Sequence, residues 1–424
     1  MMKNLARLLF LTFLFLTGCS KDSPKDVNES ILPDPTEPVV EPISLTVPPS
    51  GLVPCDGGLA RNYPCLGYDL QSMVSLPLMG ASMGNDSWGW TDSESGKEYV
   101  LMGLDNGTAF IDISTPDQPV FLGKLNTATV PSTWRDIKVF QDHAFIVSEA
   151  ESHGLQVFDL TRLRNPTEVQ NFTADARMIG FGSAHNIAIN EASGFAYVVG
   201  SDLYQGGPAF IDINDPTNPT LVGGFEDESY THDAHILIYD GPDTKYQGKE
   251  ILFGSNSDGG ENNQLIIVDV TDKSLPKLIS KTTYSNGGYT HQGWLAEDHQ
   301  YFYLGDELDE YRFGNRSKTL VFDLEDLDNP VLHHTYLGTT AAIDHNGYTR
   351  GNSFFLANYT AGFREIDIQN IGSKEMEEVG FFDTFPEHDN TSFDGVWNVY
   401  PYFDSGIIVI SDSNSGLFLV KASQ

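Results

Sequence analysis

Four histidines occupy matching places in a repeating pattern: His185 in HNIA, His232 in HDAH, His291 in HQGW and His345 in HNGY. Each is followed by a carboxamide or a carboxylate, namely Asn186, Asp233, Gln292 and Asn346. Neutral imidazoles gathered at one point are ligands for Zn, Cu or Fe, and carboxylate oxygens widen the choice of divalent ion to Ca. Asp233, and Asp344 just before His345, would then be ligands or would orient the imidazoles. The same stretches support a second chemistry. Arg135, Asp136, Asn186, Gln292 and Asn346 carry the donors and acceptors to hold a small molecule or a glycan. A third reading is structural, with polar residues lining a channel and bonded to water and to one another.

These residues share a register only if the chain is built from repeated units, and it is. GTAFIDISTPDQPVFLG (107–123), GLQVFDLTRLRNPTEVQ (154–170) and GPAFIDINDPTNPTLVG (207–223) align with one another. QLIIVDVTDKSLPKLIS (264–280), KTLVFDLEDLDNPVLHH (318–334) and GFREIDIQNIGSKEMEEVG (362–380) continue the series, and GLFLVK (416–421) is a shortened last copy. Each full copy reads as a strand, an Asp-led turn and a second strand. The aligned Asp112, Asp159, Asp212, Asp269, Asp323 and Asp367 are expected to bond the turn backbone, so they are structural. Lys421 takes their place in the last copy.

A period of roughly fifty residues with several short strands per unit predicts an all-β, seven-bladed β-propeller. The last copy lacks the strand after its turn, and SMVSLPL (72–78) supplies it from the other end of the chain. That closure leaves no free sheet edge. A further strand in each unit is read as the innermost one. Its first two positions are Ser87–Trp88, Arg135–Asp136, His185–Asn186, His232–Asp233, His291–Gln292, His345–Asn346 and Phe393–Asp394. Innermost residues of every blade converge on the axis, so the imidazoles form part of a ring at one mouth of the channel. Trp88, Trp90, Trp294 and Tyr348 are the aromatics that would flank an organic ligand.

The N-terminus has a different character. Lys3 and Arg7 precede LLFLTFLFLTG, and Cys19 follows at once. A basic start, an apolar run too short to span a bilayer and a small residue before a cysteine resemble a bacterial lipoprotein signal. Residues 1–19 are therefore expected to be a signal that ends with lipidation of Cys19. Residues 20–50 are rich in Pro, Asp and Glu and lack aromatics, which predicts a disordered tether. In an exported chain the remaining Cys55 and Cys65 are expected to pair and to clip an arm (51–71) onto the propeller (72–424).

The 424 residues carry 59 acidic and 24 basic side chains, a formal charge of -35. Such a field repels phosphate, so nucleic acid is excluded as a partner. The membrane is reached through the lipid alone, a glycan, small molecule or protein remains admissible as ligand, and the chain is expected to be monomeric. DELDE (306–310), NSDGGENN (256–263) and SEAESHG (148–154) are acidic enough to meet calcium, but none has EF-hand spacing, and solvated loops explain them. No GxSxG, Walker or GxGxxG motif stands in a strand–turn–helix setting.

LIIVDVTDKSLPKLIS resembles the repeats of LVIVD propellers of bacterial surface proteins. The body from about residue 53 to 421 is similar to the choice-of-anchor B family. CDGGLARNYPC, NDSWGW, WRDIKVFQDHAFIVSEAESHGLQVFDLTRLR, SAHNIAINEASGFAYVVG, YTHDAHILIYDGPD, YTHQGWLAEDH, DELDE, DHNGY and YPYFDSGIIVISDSNSGLFLV carry the likeness, in order. The resemblance implies a common body on varied anchors and an outer-membrane location, and it transfers no catalytic residue. The function expected is a cell-envelope binding module with ligand or metal at one axial mouth. The alternatives are a metal-dependent enzyme with a His-rich axial site and a protein-interaction scaffold with no small-molecule site.

Overall fold

A computed structural model of the chain describes residues 51–257 and 262–424. The expected signal, Cys19 and the tether lie outside the described residues, as does the middle of NSDGGENN. Among the described residues no helix is long and apolar enough to cross a membrane.

Seven sheets follow one another along the chain, antiparallel throughout except where Gln170–Phe172 runs parallel to Val120–Asn126 at the edge of the first. Their first strands, the innermost ones, are Gly84–Thr91, Arg135–Phe140, Asn186–Asn190, Thr231–Ile238, Thr290–Leu295, Gly347–Arg350 and Val396–Tyr400. Each packs against the first strand of the next sheet, and Val396–Tyr400 packs back on Gly84–Thr91. The ring is closed, and the fold is a seven-bladed propeller. The blades are numbered here by these strands.

The strand that completes blade 7 is Tyr68–Ser75, antiparallel to Gly416–Ala422 with Met73 opposite Phe418. It begins and ends earlier than 72–78. The sequence SLPLMG turns back at once, with the Leu78 N–H donating to the Ser75 carbonyl, and Pro77 has no N–H to offer a ladder. Lys421 stands opposite Asp69 in this pairing.

The turn aspartates behave as read. Asp112, Asp159, Asp212, Asp269, Asp323 and Asp367 each accept the backbone N–H two residues on, from Ser114, Thr161, Asn214, Thr271, Glu325 and Gln369. A short carboxylate closing its own turn fixes the sharp reversal that every blade needs.

Apolar side chains on both faces of each sheet fill the gaps between blades. Met102 and Ile111 of blade 1 meet Val409 and Leu419 of blade 7, for example, and Phe253 and Ile267 of blade 4 meet Phe302 and Phe322 of blade 5. A fully buried Phe contributes about 1.5–3 kcal/mol through the water it sheds.

Cys55 and Cys65 are joined. The arm they close carries Tyr63–Leu66, which pairs with Glu377–Phe382 at the outer edge of blade 6 and covers that edge. Replacing both cysteines by serine is expected to lower stability by about 2–3 kcal/mol, as befits a short closed loop. Urea unfolding of the oxidised wild type against the double variant measures it.

Candidate functional site

The first strands bring side chains to the axis in two rings. The first ring holds Asn85, Arg135, His185, His232, His291, His345 and Trp397. The second holds Asp86, Asp136, Asn186, Asp233, Gln292, Asn346 and Asn398. The four histidines share a ring as expected, but the first and last blades are corrected. Asn85–Asp86 and Trp397–Asn398 stand where Ser87–Trp88 and Phe393–Asp394 were placed. The hydrogen bonds fix this register: Asp86, Asp136 and Asp233 each accept the next residue's N–H, and Asn398 bonds Asn346 and the Ser87 carbonyl. Blades 1 and 7 have no histidine to mark the position, and the heads of the first strands are irregular. Pairing shifts between Gly84 and Ser87, between Thr231 and Asp233, between Thr290 and Gly293 and between Val396 and Asn398. An extra residue at the head of a strand is invisible to simple alignment.

The imidazoles form an arc. Ring centroids are 4.1 Å apart for His185 and His232, 4.2 Å for His232 and His291, and 4.3 Å for His291 and His345. Each is held from behind. Nδ1 of His232 bonds the His291 carbonyl at 2.9 Å, and Nδ1 of His345 bonds the Trp397 carbonyl at 2.5 Å. Nδ1 of His291 faces the His345 carbonyl without completing a bond of normal geometry. His185 instead gives its Nδ1 to Glu149 at 2.6 Å. With Nδ1 occupied by a backbone acceptor, Nε2 is the nitrogen left for a ligand.

Glu307 completes the group. Its carboxylate lies 3.7 Å from Nε2 of His291 and 3.6 Å from Nε2 of His345, and it accepts the Tyr359 hydroxyl at 3.0 Å. One atom each from His291, His345 and Glu307 falls within a 4.8 Å cluster. Burial, and then the neighbouring imidazoles, hold His291 and His232 well below the usual histidine range. Burial pushes His345 down to about 3 and raises Glu307 to about 7. His232, His291 and His345 are therefore neutral at physiological pH, the state that binds metal.

Arg135 lines the same mouth and is 2% exposed. Nε donates to the Leu104 carbonyl at 3.1 Å and Nη1 contacts His153 Nε2 at 3.0 Å. Nη2 has no partner among the described residues. Arg135, the four histidines, Trp134 and Trp397 line a small cavity of about 10 Å³, room for about one water.

The second ring is mostly a set of latches. Asp136 accepts the Ile187 N–H, Asn186 donates to the His232 carbonyl, and Gln292 exchanges two bonds with Gly347. Asn346 and Tyr348 both donate to Asn398. These bonds join blade to blade through Asp136, Asn186, Gln292 and Asn346, which also line the cavities on either side.

Asp233 is not with the imidazole nitrogens. It faces the other side of the second ring, where Lys138 pairs with Asp136 at 2.6 Å and Asp86 at 3.4 Å. Burial and the Asp136 charge raise Asp233 to about 7. On that side a cavity of about 50 Å³ is walled by Trp88, His235, Trp294 and Tyr348. Trp294 stacks on His235 with centroids 3.8 Å apart, and Lys138 lies 4.6 Å over Trp88. Trp90 is elsewhere, buried against Tyr99 in the core. Asp344 also leaves the imidazole site and joins Asp309 and Glu310.

Glu307, Tyr359 and Glu149 are the residues that sequence reasoning missed here. DELDE and SEAESHG were noticed as acidic loops; their position after the second strand of a blade, beside the first-strand histidines, was the available signal.

Two segments, 181–227 and 259–283, match the LVIVD repeat family. The β-propeller domain of Cps50 (Swd1) from Myceliophteria thermophila is similar in fold, with a TM-score of 0.55 at 10% identity over 84% of this chain and 100% of that one. No curated protein matches.

Asn398 bridges three blades through Ser87, Asn346 and Tyr348. Asn398→Ala is expected to cost about 2–4 kcal/mol, because it leaves several buried polar groups unpaired. Urea unfolding reads that loss directly.

Proposed function

We propose that the chain is a binding module of the cell envelope that holds a divalent transition metal at one axial mouth. His291, His345 and Glu307 are the ligands, and His232 stands beside them in ring contact. The convergence of two Nε2 atoms and one carboxylate within 4.8 Å carries this reading. Two imidazoles and a carboxylate suit Zn or Fe, and with a further imidazole Cu, while leaving coordination positions open. Those positions face the cavity that Arg135 also lines. A small anionic ligand, gripped by metal on one side and guanidinium on the other, fits that pairing of charges. The anchoring half of the reading rests on Lys3, Arg7, the apolar run and Cys19.

The aromatic cavity at the other mouth favours a second reading, an organic ligand stacked among Trp88, Trp294 and Tyr348. It does not compete with the first, since the amide ring separates the two.

Plasma mass spectrometry on protein purified without a His tag or chelator tests the metal. Near-stoichiometric Zn, Cu or Fe is expected, and it should disappear when His232 and His291 are both changed to Ala. No retained ion, even after incubation with each, would overturn the proposal. Tyr359→Phe removes only the bond that holds Glu307 and is expected to weaken metal affinity about 10–100-fold. Competition with a chromogenic chelator measures that change.

A further inference from the structure

The loop that carries Glu307 runs on into a second group of carboxylates. Asp309 and Glu310 open the short helix Asp309–Phe313, and Asp344 reaches the same point from the segment before His345. One oxygen from each lies within 4.8 Å of the others. That span fits inside calcium's coordination sphere, whose radius is about 2.4 Å. The three residues are 0%, 2% and 0% exposed respectively.

Burial alone would make this an acidic cluster and no more. The hydrogen bonding sets it apart. Lys318 makes ion-pair contact with Asp309, but none of the six carboxylate oxygens meets a donor in normal hydrogen-bond geometry among the described residues. The groups instead face one another, and carboxylates this close repel unless a cation lies between them. Asp306, in the same loop, shows the contrast. Its carboxylate accepts the Tyr284 hydroxyl and the N–H groups of Gly288, Tyr289 and Leu308.

The sheet makes room for the entering carboxylate. A Cβ on Gly305 would sit 2.7 Å from Asp344 Oδ2, so glycine is required where Asp344 comes in. Thr319 is paired with Gly305 across the sheet, which puts its side chain on the same face. Its hydroxyl is also buried and without a partner among the described residues.

We propose that Asp309, Glu310 and Asp344 form a buried site for one calcium ion, with the Thr319 hydroxyl as a neighbouring oxygen. Three carboxylates against Lys318 leave two negative charges, which a divalent cation cancels. An all-oxygen lining selects a hard ion over the softer metals that imidazole prefers. Glu307 is two residues from Asp309, so a filled site braces the loop that presents Glu307 to the imidazoles. The site is nonetheless independent of whether a metal binds there.

The test uses the full chain, stripped with EGTA and then given Ca²⁺, Mg²⁺ or neither. Thermal unfolding and equilibrium dialysis with radioactive calcium are the readouts. One Ca²⁺ per chain is expected, with a melting temperature several degrees higher than with Mg²⁺ or no ion. Asp344→Asn and Glu310→Gln should each abolish both effects, and His291→Ala should keep them. If Asp344→Asn does not fold, the near-isosteric Glu310→Gln still gives the answer. An unchanged calcium response in Glu310→Gln overturns the proposal. So does the absence of calcium binding by the wild type, which would assign the carboxyls to shared protons. Calcium lost in His291→Ala but kept in Glu310→Gln would move the ion to the imidazole mouth and overturn it as well.

Discussion

Everything at the axis depends on one constraint: seven strands converge there, and each brings polar backbone that must be paired away from water. A propeller blade can satisfy its own ladder but not the head of its innermost strand, where the pairing bulges. The second ring solves this with side chains. Asp136, Asn186, Gln292 and Asn398 reach the backbone of the next blade, and Asn398 closes the last gap to Ser87. A buried amide or carboxylate that bonds two blades fixes their rotation as well as their spacing. The imidazole ring sits one residue away on the same strands, so its geometry is inherited from those latches.

The bonds behind the imidazoles follow the same logic. His232 and His345 donate to backbone carbonyls of the following blade, at the equivalent position each time. The repeat therefore sets both the spacing of the rings and the nitrogen that each presents. Function and scaffold draw on one periodicity, and this explains why four consecutive blades can carry the same residue without crowding.

The periodicity was legible in the sequence, and what departs from it was not. LIIVDV-type copies announce the blades, and their turn aspartates close the turns as their spacing implied. The column of His185, His232, His291 and His345 was readable because those four blades keep the same residue. Blades 1 and 7 do not, so nothing in NDSW or WNVY marks the position that faces the axis. Asp233 and Asp344 looked like partners of the histidines because they adjoin them in sequence. In a strand, neighbours point to opposite sides, so the residue after a histidine is the one least suited to share its ligand. Glu307 and Tyr359 follow the second strands of the blades whose first strands present His291 and His345, so only the strand pairing within each blade brings them beside the imidazoles.

The latches also divide the channel chemically. On one side lie neutral imidazoles, a single raised carboxyl and one guanidinium. On the other lie Lys138, three aspartates and an aromatic wall. A surface of net charge -35 draws cations toward both mouths and repels free anions. An anionic ligand is then held only where a positive centre is built in, and Arg135 supplies that at the imidazole mouth. A metal held between the imidazoles, as proposed, would add to the same positive field, and the acidic chain would favour its entry over that of a free anion.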